Sequence, residues 1–332
     1  MHNEWLNFLD TALKSSTDFP TTEFSENTCF LCPCEHLALI KVSGEDATSF
    51  LQNQVSNDIQ NIDENTCQLN SYSSHKGRMF SIFNIIKINT DYLIILPKIQ
   101  AEFLLQRLQM FVIMAKVTLT DVSDQWAKIG IQSETAANQF CDNSNQVTKK
   151  EKSIAVRLNP NSPNRVLLLL PAENAQNVWN ELKEKIATYS SNIWQLAQIH
   201  EGIPSLTPET SEAFVLQMAN LNLLDGVNFK KGCYPGQEIV ARTRYLGKAK
   251  RRMYHLQVNS SQQPNPADEL SSIKSDKADS SGKVVISAQS GEQQYDFLAV
   301  TKIDLMESNE LKLHADPDAK LTIKKLPYSY ED

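Results

Sequence analysis

The sequence predicts an α+β protein made of several subdomains and closed by a small all-β module. Three observations lead there. The chain, at 332 residues, is too long for one ordinary core. Segments alternating like half-buried strands are interleaved with segments of helical periodicity over most of its length. A polar stretch rich in Ser, Asp, Gln and Pro, Asn259–Gly282, has strand-like segments on both sides and no helical one after it, as a long loop inside a β module would.

The elements follow in order. Trp5, Leu6, Leu9 and Leu13 fall at helical spacing over residues 4–14. His36–Val42 alternates as a strand. Ser43-Gly44-Glu45-Asp46 matches a capping box and predicts a helix running through Phe50, Leu51 and Val55. Met79–Ile88 and Tyr92–Leu96 read as strands joined by a turn at Asn89-Thr90-Asp91, followed by a helix over Ile99–Met114 and a strand at Val117–Thr120. Trp126–Ile131 and Arg165–Leu170 are strand-like. Ala172–Ile186 sets Val178, Trp179, Leu182 and Ile186 on one helical face. A helix over Trp194–His200 stops at Gly202, with Pro204 preventing continuation. Strands at Met253–Val258, Val284–Ala288, Phe297–Val300 and Leu321–Ile323 make up the last module.

A formal net charge of −7 argues against a surface that grips nucleic acid everywhere. No stretch approaches the ~20 apolar residues that cross a bilayer, and the N-terminus lacks a basic n-region and an apolar h-region. Six scattered cysteines make no disulfide framework. The expected setting is the cytoplasm, with no membrane partner.

Chemistry concentrates in Lys231-Gly232-Cys233-Tyr234-Pro235-Gly236-Gln237-Glu238. The glycines allow close backbone approaches, Pro235 fixes a dihedral, and a rigid loop presents Cys233. Lys230 and Lys231 beside it would raise the thiolate fraction, while Gln237 and Glu238 would bind a ligand or brace the loop. An isolated Gly-Cys would be a space-filling turn, but this density of special residues favours a functional thiol. Lys230 and Lys231, then Arg242, Arg244, Lys248, Lys250, Arg251 and Arg252, make a basic segment. It is either a solvated face or an anion patch for phosphate, RNA backbone or a polycarboxylate tail. Cys29, Cys32, Cys34 and His36 have ligand-like spacing, but C-x-x-C-x-C lacks a second half, so buried small residues are preferred to a metal site.

The run Leu224-Asp225-Gly226-Val227-Asn228-Phe229-Lys230 through Arg242 closely resembles the signature of the YgfZ family of folate-binding proteins. Gln54–Ile59, Lys76-Gly77-Arg78-Met79, Gly202-Ile203-Pro204, Gln217, Asn220 and Leu326-Pro327-Tyr328-Ser329 extend the resemblance over most of the chain from residue 36. It implies an aminomethyltransferase-like fold of three subdomains around a central pocket, the last a β-barrel. It implies tetrahydrofolate or a one-carbon derivative in that pocket. It further implies an accessory role in assembly or repair of iron–sulfur client enzymes, and through them in tRNA thiolation. Residues 1–34 would be a helix and lead-in, 35–245 the folate-binding region of two α+β subdomains, and 246–332 the barrel. Cys233 would be the reactive or ligating thiol. Trp194, Leu37, Asn57, Lys76, Arg78, Asn220 and Arg242 would bind folate, with the indole of Trp194 stacking on the pterin.

Two departures from the family bear on the reaction class. Leu37 stands where bacterial relatives carry a tryptophan. Arg78-Met79-Phe80-Ser81 lacks the acidic residue that aminomethyltransferases place near the reacting folate nitrogens, and the relatives' later glutamate falls at His200, with Glu201 one residue on. One residue on a helix turns a side chain by about 100°. Folate binding without glycine-cleavage activity is therefore expected. Two rival readings are one-carbon transfer to an unknown acceptor and direct tRNA binding through the basic segment.

Overall fold

A computed structural model of the chain describes residues 2–14, 16–142, 145–245, 247, 249–274, 281–308 and 310–330. The helices are α1 (His2–Ala12), α2 (Ala47–Gln52), α3 (Lys98–Gln109), α4 (Glu134–Phe140), α5 (Ala172–Lys183), α6 (Asn192–His200), α7 (Gln237–Tyr245) and α8 (Ile303–Glu307). The strands are β1 (Phe30–Pro33), β2 (Leu37–Ser43), β3 (Cys67–Ser73), β4 (Met79–Ile88), β5 (Asp91–Pro97), β6 (Thr118–Asp121), β7 (Ala127–Gln132), β8 (Val147–Lys150), β9 (Ser153–Val156), β10 (Arg165–Leu170), β11 (Arg251–Asn259), β12 (Glu269–Ser272), β13 (Gly282–Gly291), β14 (Gln294–Lys302), β15 (Leu311–Leu313) and β16 (Leu321–Lys324).

Among the described residues these strands form three antiparallel sheets, ordered β3-β4-β5-β2-β6, β1-β7-β10-β9-β8 and β15-β12-β13-β14-β11-β16. The period-2 alternation of strands sorts the side chains of the first sheet. Ala38, Ile40 and Val42 of β2 face α2 and α3, packing near Leu51, Leu104 and Leu108. Leu37 and Leu39 of the same strand face the other way, into a core shared by all three sheets. The second sheet does the same. Ile129, Ile131, Val166 and Leu168 pack under Trp5 of α1 and Trp179 of α5, while Cys32, Leu167 and Leu169 face the shared core. The third sheet curls around Leu256, Leu270, Val284 and Phe297 into a half-barrel, its edge strands β15 and β16 being only three and four residues long. Helix α6 lies at the centre, with Ile193, Trp194, Leu196, Ala197 and Ile199 all in the shared core.

The α+β class, strands β2, β4, β5 and β6 of the first sheet and the strand-rich terminal module agree with the sequence, whereas β3 of the first sheet and the short helix α8 of the terminal module were not predicted. Several elements differ. Ser43 remains the last residue of β2, paired with Thr118, so no capping box forms. Asp46 takes the N-cap position without a capping bond, and its carboxylate accepts from the Lys116 N–H at 2.9 Å instead. Helix α2 then ends at Gln52, short of Val55. Helix α3 stops at Gln109 because Phe111, Ile113 and Met114 meet no core and are exposed. Helix α7 went unread because only Val240 on it is buried, which leaves no apolar stripe to detect. The polar stretch Asn259–Gly282 contains strand β12, which has Leu270 as its one apolar residue and so shows no alternation.

Two positive-φ glycines fix the long-range geometry. Gly77, in the turn before β4, has φ +69°, and Gly236, before α7, has φ +84°. A Cβ on Gly236 would stand 2.6 Å from both Gly77 Cα and Ser74 O, and one on Gly77 would stand 2.9 Å from Ile239 Cβ. The two backbones touch because neither carries a side chain. Gly232, by contrast, has nothing within 4 Å of its Cβ position. Gly236→Ala should therefore destabilise the protein by about 1–3 kcal/mol or more, and Gly232→Ala should leave it nearly unchanged. Urea denaturation of the two variants measures the difference, and equal stabilities would refute the contact.

Candidate functional site

The Cys233 loop is anchored from several directions. Lys231 is buried, and its ammonium donates to the carbonyls of Gln52, Val55 and Asn57, each at 2.7 Å. Burial pushes its pKa down to about 8, against the pull of the Asp58 carboxylate. At neutral pH it is thus an ammonium with three hydrogens and three acceptors. The Asn228 carboxamide accepts from the Lys230 and Lys231 N–H groups at 2.8 and 3.1 Å. Ser56 Oγ donates to Gly226 O at 2.7 Å, and Asn57 Nδ2 donates to Asp225 O at 2.5 Å. Gln217 Nε2 reaches Val240 O at 2.6 Å, holding the start of α7. Between buried Lys231 and buried Tyr234, the residues Gly232 and Cys233 stand exposed.

The result is a thiol on solvent, on a loop whose neighbours are fixed. It corrects the expected role of Lys231. That ammonium is committed to three carbonyls, because a buried cation must find acceptors, and it serves as the loop's anchor. Lys230 is exposed, and Gln237 Nε2 braces the loop by donating to Lys231 O at 3.4 Å. Glu238 is exposed at the start of α7, where a carboxylate complements the helix dipole.

A cavity of about 420 Å³ opens between the first sheet, α6 and the half-barrel. Leu37, Leu69, Ile82, Ile95, Leu158, Trp194 and Ile286 give it apolar walls, and His36, Asn84, Gln195 and Gln198 supply polar atoms. Burial pushes the His36 pKa down to about 4, so the ring is neutral, and its Nδ1 is buried without a hydrogen-bond partner. A smaller cavity shares Leu69, Asn84, Leu158, Gln198 and Ile203 with the first and extends to Leu223, Leu224 and Asp225, the start of the signature run. Trp194 is 1% exposed. The Arg165 guanidinium lies 4.4 Å from its ring centre, and Phe30 meets it edge-on. It forms cavity wall but offers the cavity only a sliver of its surface.

A family model described as the GCVT N-terminal domain matches residues 23–149. The protein named tRNA-modifying protein YgfZ from Colwellia psychrerythraea is 32% identical over 250 residues, which cover 73% of this chain and 75% of that one. That from Photobacterium profundum is 29% identical over 98% of both chains. The chain belongs to the YgfZ family. Among solved structures, the glycine cleavage system aminomethyltransferase T from Bartonella henselae superposes with a TM-score of 0.70 over 91% of this chain and 86% of that one, at 12% identity. That likeness establishes the aminomethyltransferase-like fold in this YgfZ member.

Of the seven residues expected to bind folate, only Trp194 and Leu37 meet at one cavity. Asn57 is spent on Leu69 O, Asp225 O and its neighbour's N–H. Lys76 is exposed at the tip of the glycine turn, and Arg78 donates to Ala213 O at 2.5 Å. Asn220, at φ +59°, bonds Met253 O and the Tyr328 hydroxyl, tying the half-barrel to the centre. Arg242 is exposed on α7. Sequence reasoning missed Asn84, Gln198 and His36 as pocket residues. Their only sequence signal was a polar residue interrupting an apolar run, visible at Asn84 within Met79–Ile88.

The basic segment divides. Arg252 is buried and donates to Gln217 O and Asn222 Oδ1, so it supports the fold and is no part of a solvated face. Arg244 lies 4.1 Å from the Phe229 ring centre. Both line a second cavity of about 980 Å³ with Lys324, Lys325, Tyr254 and Tyr330. Lys230 and Lys250 are exposed and Arg251 is half-buried; Lys248 lies outside the described residues. Of the four cysteine-cluster residues, Cys29 is exposed while Cys32 and Cys34 are buried, pressed against Gly130 beside Trp194.

Replacing Lys231 by Met keeps the stem and strips three carbonyls of their donor. Leaving buried acceptors unsatisfied costs about 1–3 kcal/mol each at most sites, so Lys231→Met should lower stability by several kcal/mol and speed alkylation at Cys233 as the loop loosens. Unfolding midpoints and thiol-labelling rates read both effects; an unaltered midpoint would mean that the ammonium is not the anchor.

Proposed function

We propose that this chain is a folate-binding accessory factor that supports assembly or repair of iron–sulfur proteins and thereby tRNA modification, with Cys233 as its working thiol. The relatives' name, tRNA-modifying protein, supports the outcome, and the aminomethyltransferase-like fold supports a folate pocket. The observation that carries the reading is the composition of the 420 Å³ cavity. Its apolar walls, with Asn84 and Gln198 as hydrogen-bonding groups, suit a heteroaromatic ring with a polar edge. Among the described residues its lining contains no Asp or Glu. Glu201, the nearest sequence candidate, is bound to Arg165 and Asn159. General acid–base work on a bound folate needs a titratable group within reach, and among the described residues the lining offers the neutral His36 and Lys98 but no carboxylate. Binding rather than glycine cleavage follows.

Tetrahydrofolate titration by calorimetry tests this. Trp194→Ala would open a core hole costing about 3–5 kcal/mol, so Trp194→Phe and Asn84→Leu are the better variants, each expected to weaken binding at least about tenfold. Cys233→Ser should bind folate normally and fail to restore cluster-enzyme activity in cells lacking the protein. No binding by the wild-type chain would end the folate reading, and full restoration by Cys233→Ser would remove the thiol from the mechanism.

A direct contact with tRNA is a second reading, favoured by the 980 Å³ cavity. Arg244 and Lys325 line it, with Lys324 that also pairs with Glu23, against the single lining carboxylate of Glu307, and Tyr254 and Tyr330 add aromatic surface. Binding of tRNA that falls steeply with salt and weakens in Lys325→Glu and Arg244→Glu would support it. Unchanged binding in both, or none at low salt, would exclude this surface.

A further inference from the structure

The end of α6 meets the half-barrel through a cluster that neither the folate cavity nor the Cys233 loop uses. His200 closes α6, His255 lies on β11 and Asp296 on β14. The side chain of Asp296 is fully buried and that of His255 nearly so, while His200 is 26% exposed. Nε2 of His255 lies 2.6 Å from Asp296 Oδ1, and Nε2 of His200 lies 3.5 Å from the same oxygen. The three ligand atoms all fall within 4.8 Å of one another. The His200 Nε2 is buried and has no hydrogen-bond partner. The other Asp296 oxygen is fixed by Gln257 Nε2 at 2.9 Å, the kind of outer contact that orients a ligating carboxylate.

The carboxylate has no ionic partner among the basic side chains. Among the described residues no lysine or arginine lies within ion-pair distance of Asp296; its polar contacts are His255, Gln257 and, at 3.5 Å, His200. A buried carboxylate served only by imidazoles and an amide leaves a place for a cation.

We propose that Nε2 of His200, Nε2 of His255 and Oδ1 of Asp296 form a binding site for a divalent first-row transition-metal ion. Two imidazoles and one carboxylate suit zinc, iron(II), cobalt or manganese, whereas calcium and magnesium prefer all-oxygen sets. At metal–ligand distances of about 2.1 Å, tetrahedral ligand atoms sit roughly 3.4 Å apart, close to the His200–Asp296 separation; His255 need retreat by less than about 1 Å. His200 also lines a cavity of about 670 Å³ with Arg165, Asn159 and Glu201. Since α6 also carries Trp194, the ion would tie the half-barrel to the helix that walls the 420 Å³ cavity.

The full chain, stripped with chelator, is titrated with Zn²⁺ by calorimetry and with Co²⁺ by visible absorption. One equivalent should bind, without thiolate-to-cobalt charge transfer, and should raise the thermal midpoint through preferential binding to the folded state. Affinity should fall on the order of a hundredfold in His200→Ala and Asp296→Asn, and remain in Cys29→Ser and Cys233→Ser. If Asp296→Asn fails to fold, the partly exposed His200→Ala decides. Uptake unchanged in His200→Ala, uptake lost with the cysteines, or no uptake by the wild-type chain would overturn the site and leave the cluster as a hydrogen-bonded clamp only.

Discussion

A buried ammonium satisfied by backbone carbonyls organises the centre of this molecule. Lys231 reaches into the segment after α2 and binds Gln52 O, Val55 O and Asn57 O. Those carbonyls lie where α2 has ended and the chain turns toward β3, so without a donor they would be buried acceptors with no helical partner. The same segment sends Ser56 and Asn57 back to the signature run at Gly226 and Asp225. Each side thus completes hydrogen bonding for the other. The glycine contact between residues 77 and 236 closes the arrangement from the opposite side. The Cys233 loop is therefore held by tertiary structure at both ends and needs no regular secondary structure of its own.

This mutual dependence explains what the sequence displayed and what it hid. Strands such as β2 and β4 were legible because each residue faces one of two cores, which imposes alternation on Leu37–Val42 and Met79–Ile88. The loop was legible as a functional unit because its glycines, proline and lysines are rare in combination. The direction of the Lys231 side chain was not legible. A lysine beside a cysteine reads as an activating cation, and only the tertiary structure reveals three carbonyls nearly 180 residues away in sequence. Arg252 misled in the same way, since a charge run gives no sign of which member turns inward. Helix α7 was hidden for the converse reason, having one buried residue and no stripe.

The thiol and the pocket occupy different environments, and that separation constrains any mechanism linking them. Cys233 is solvent-exposed, on a loop that large partners can approach. The 420 Å³ cavity is walled by apolar side chains and shares its border with a second cavity ending at Asp225. Asp225 has φ +52° and its carbonyl is held by Asn57, so the signature run starts at an exposed cavity rim and presents Cys233 on the surface eight residues on. Any influence of a cavity ligand on the thiol would have to pass through that short, anchored stretch. A rigid connection transmits displacement only if it has two discrete arrangements, and the dense bonding of Lys231 argues for a single arrangement and hence for a static platform.

One helical turn, at the end of α6, links two walls of the molecule. At the end of α6, Glu201 bonds Arg165 through its guanidinium Nε at 2.6 Å and also takes Asn159 Nδ2 at 3.0 Å. Arg165 in turn covers the Trp194 ring. The carboxylate is thereby consumed in orienting the cation that packs on the indole. Its neighbour His200 points instead to His255 and Asp296, as an offset of about 100° per residue requires. Two adjacent residues thus serve two different walls. The carboxylate is held in a bidentate guanidinium contact. The turn thus ties α6 to β10 on one side and to the half-barrel on the other.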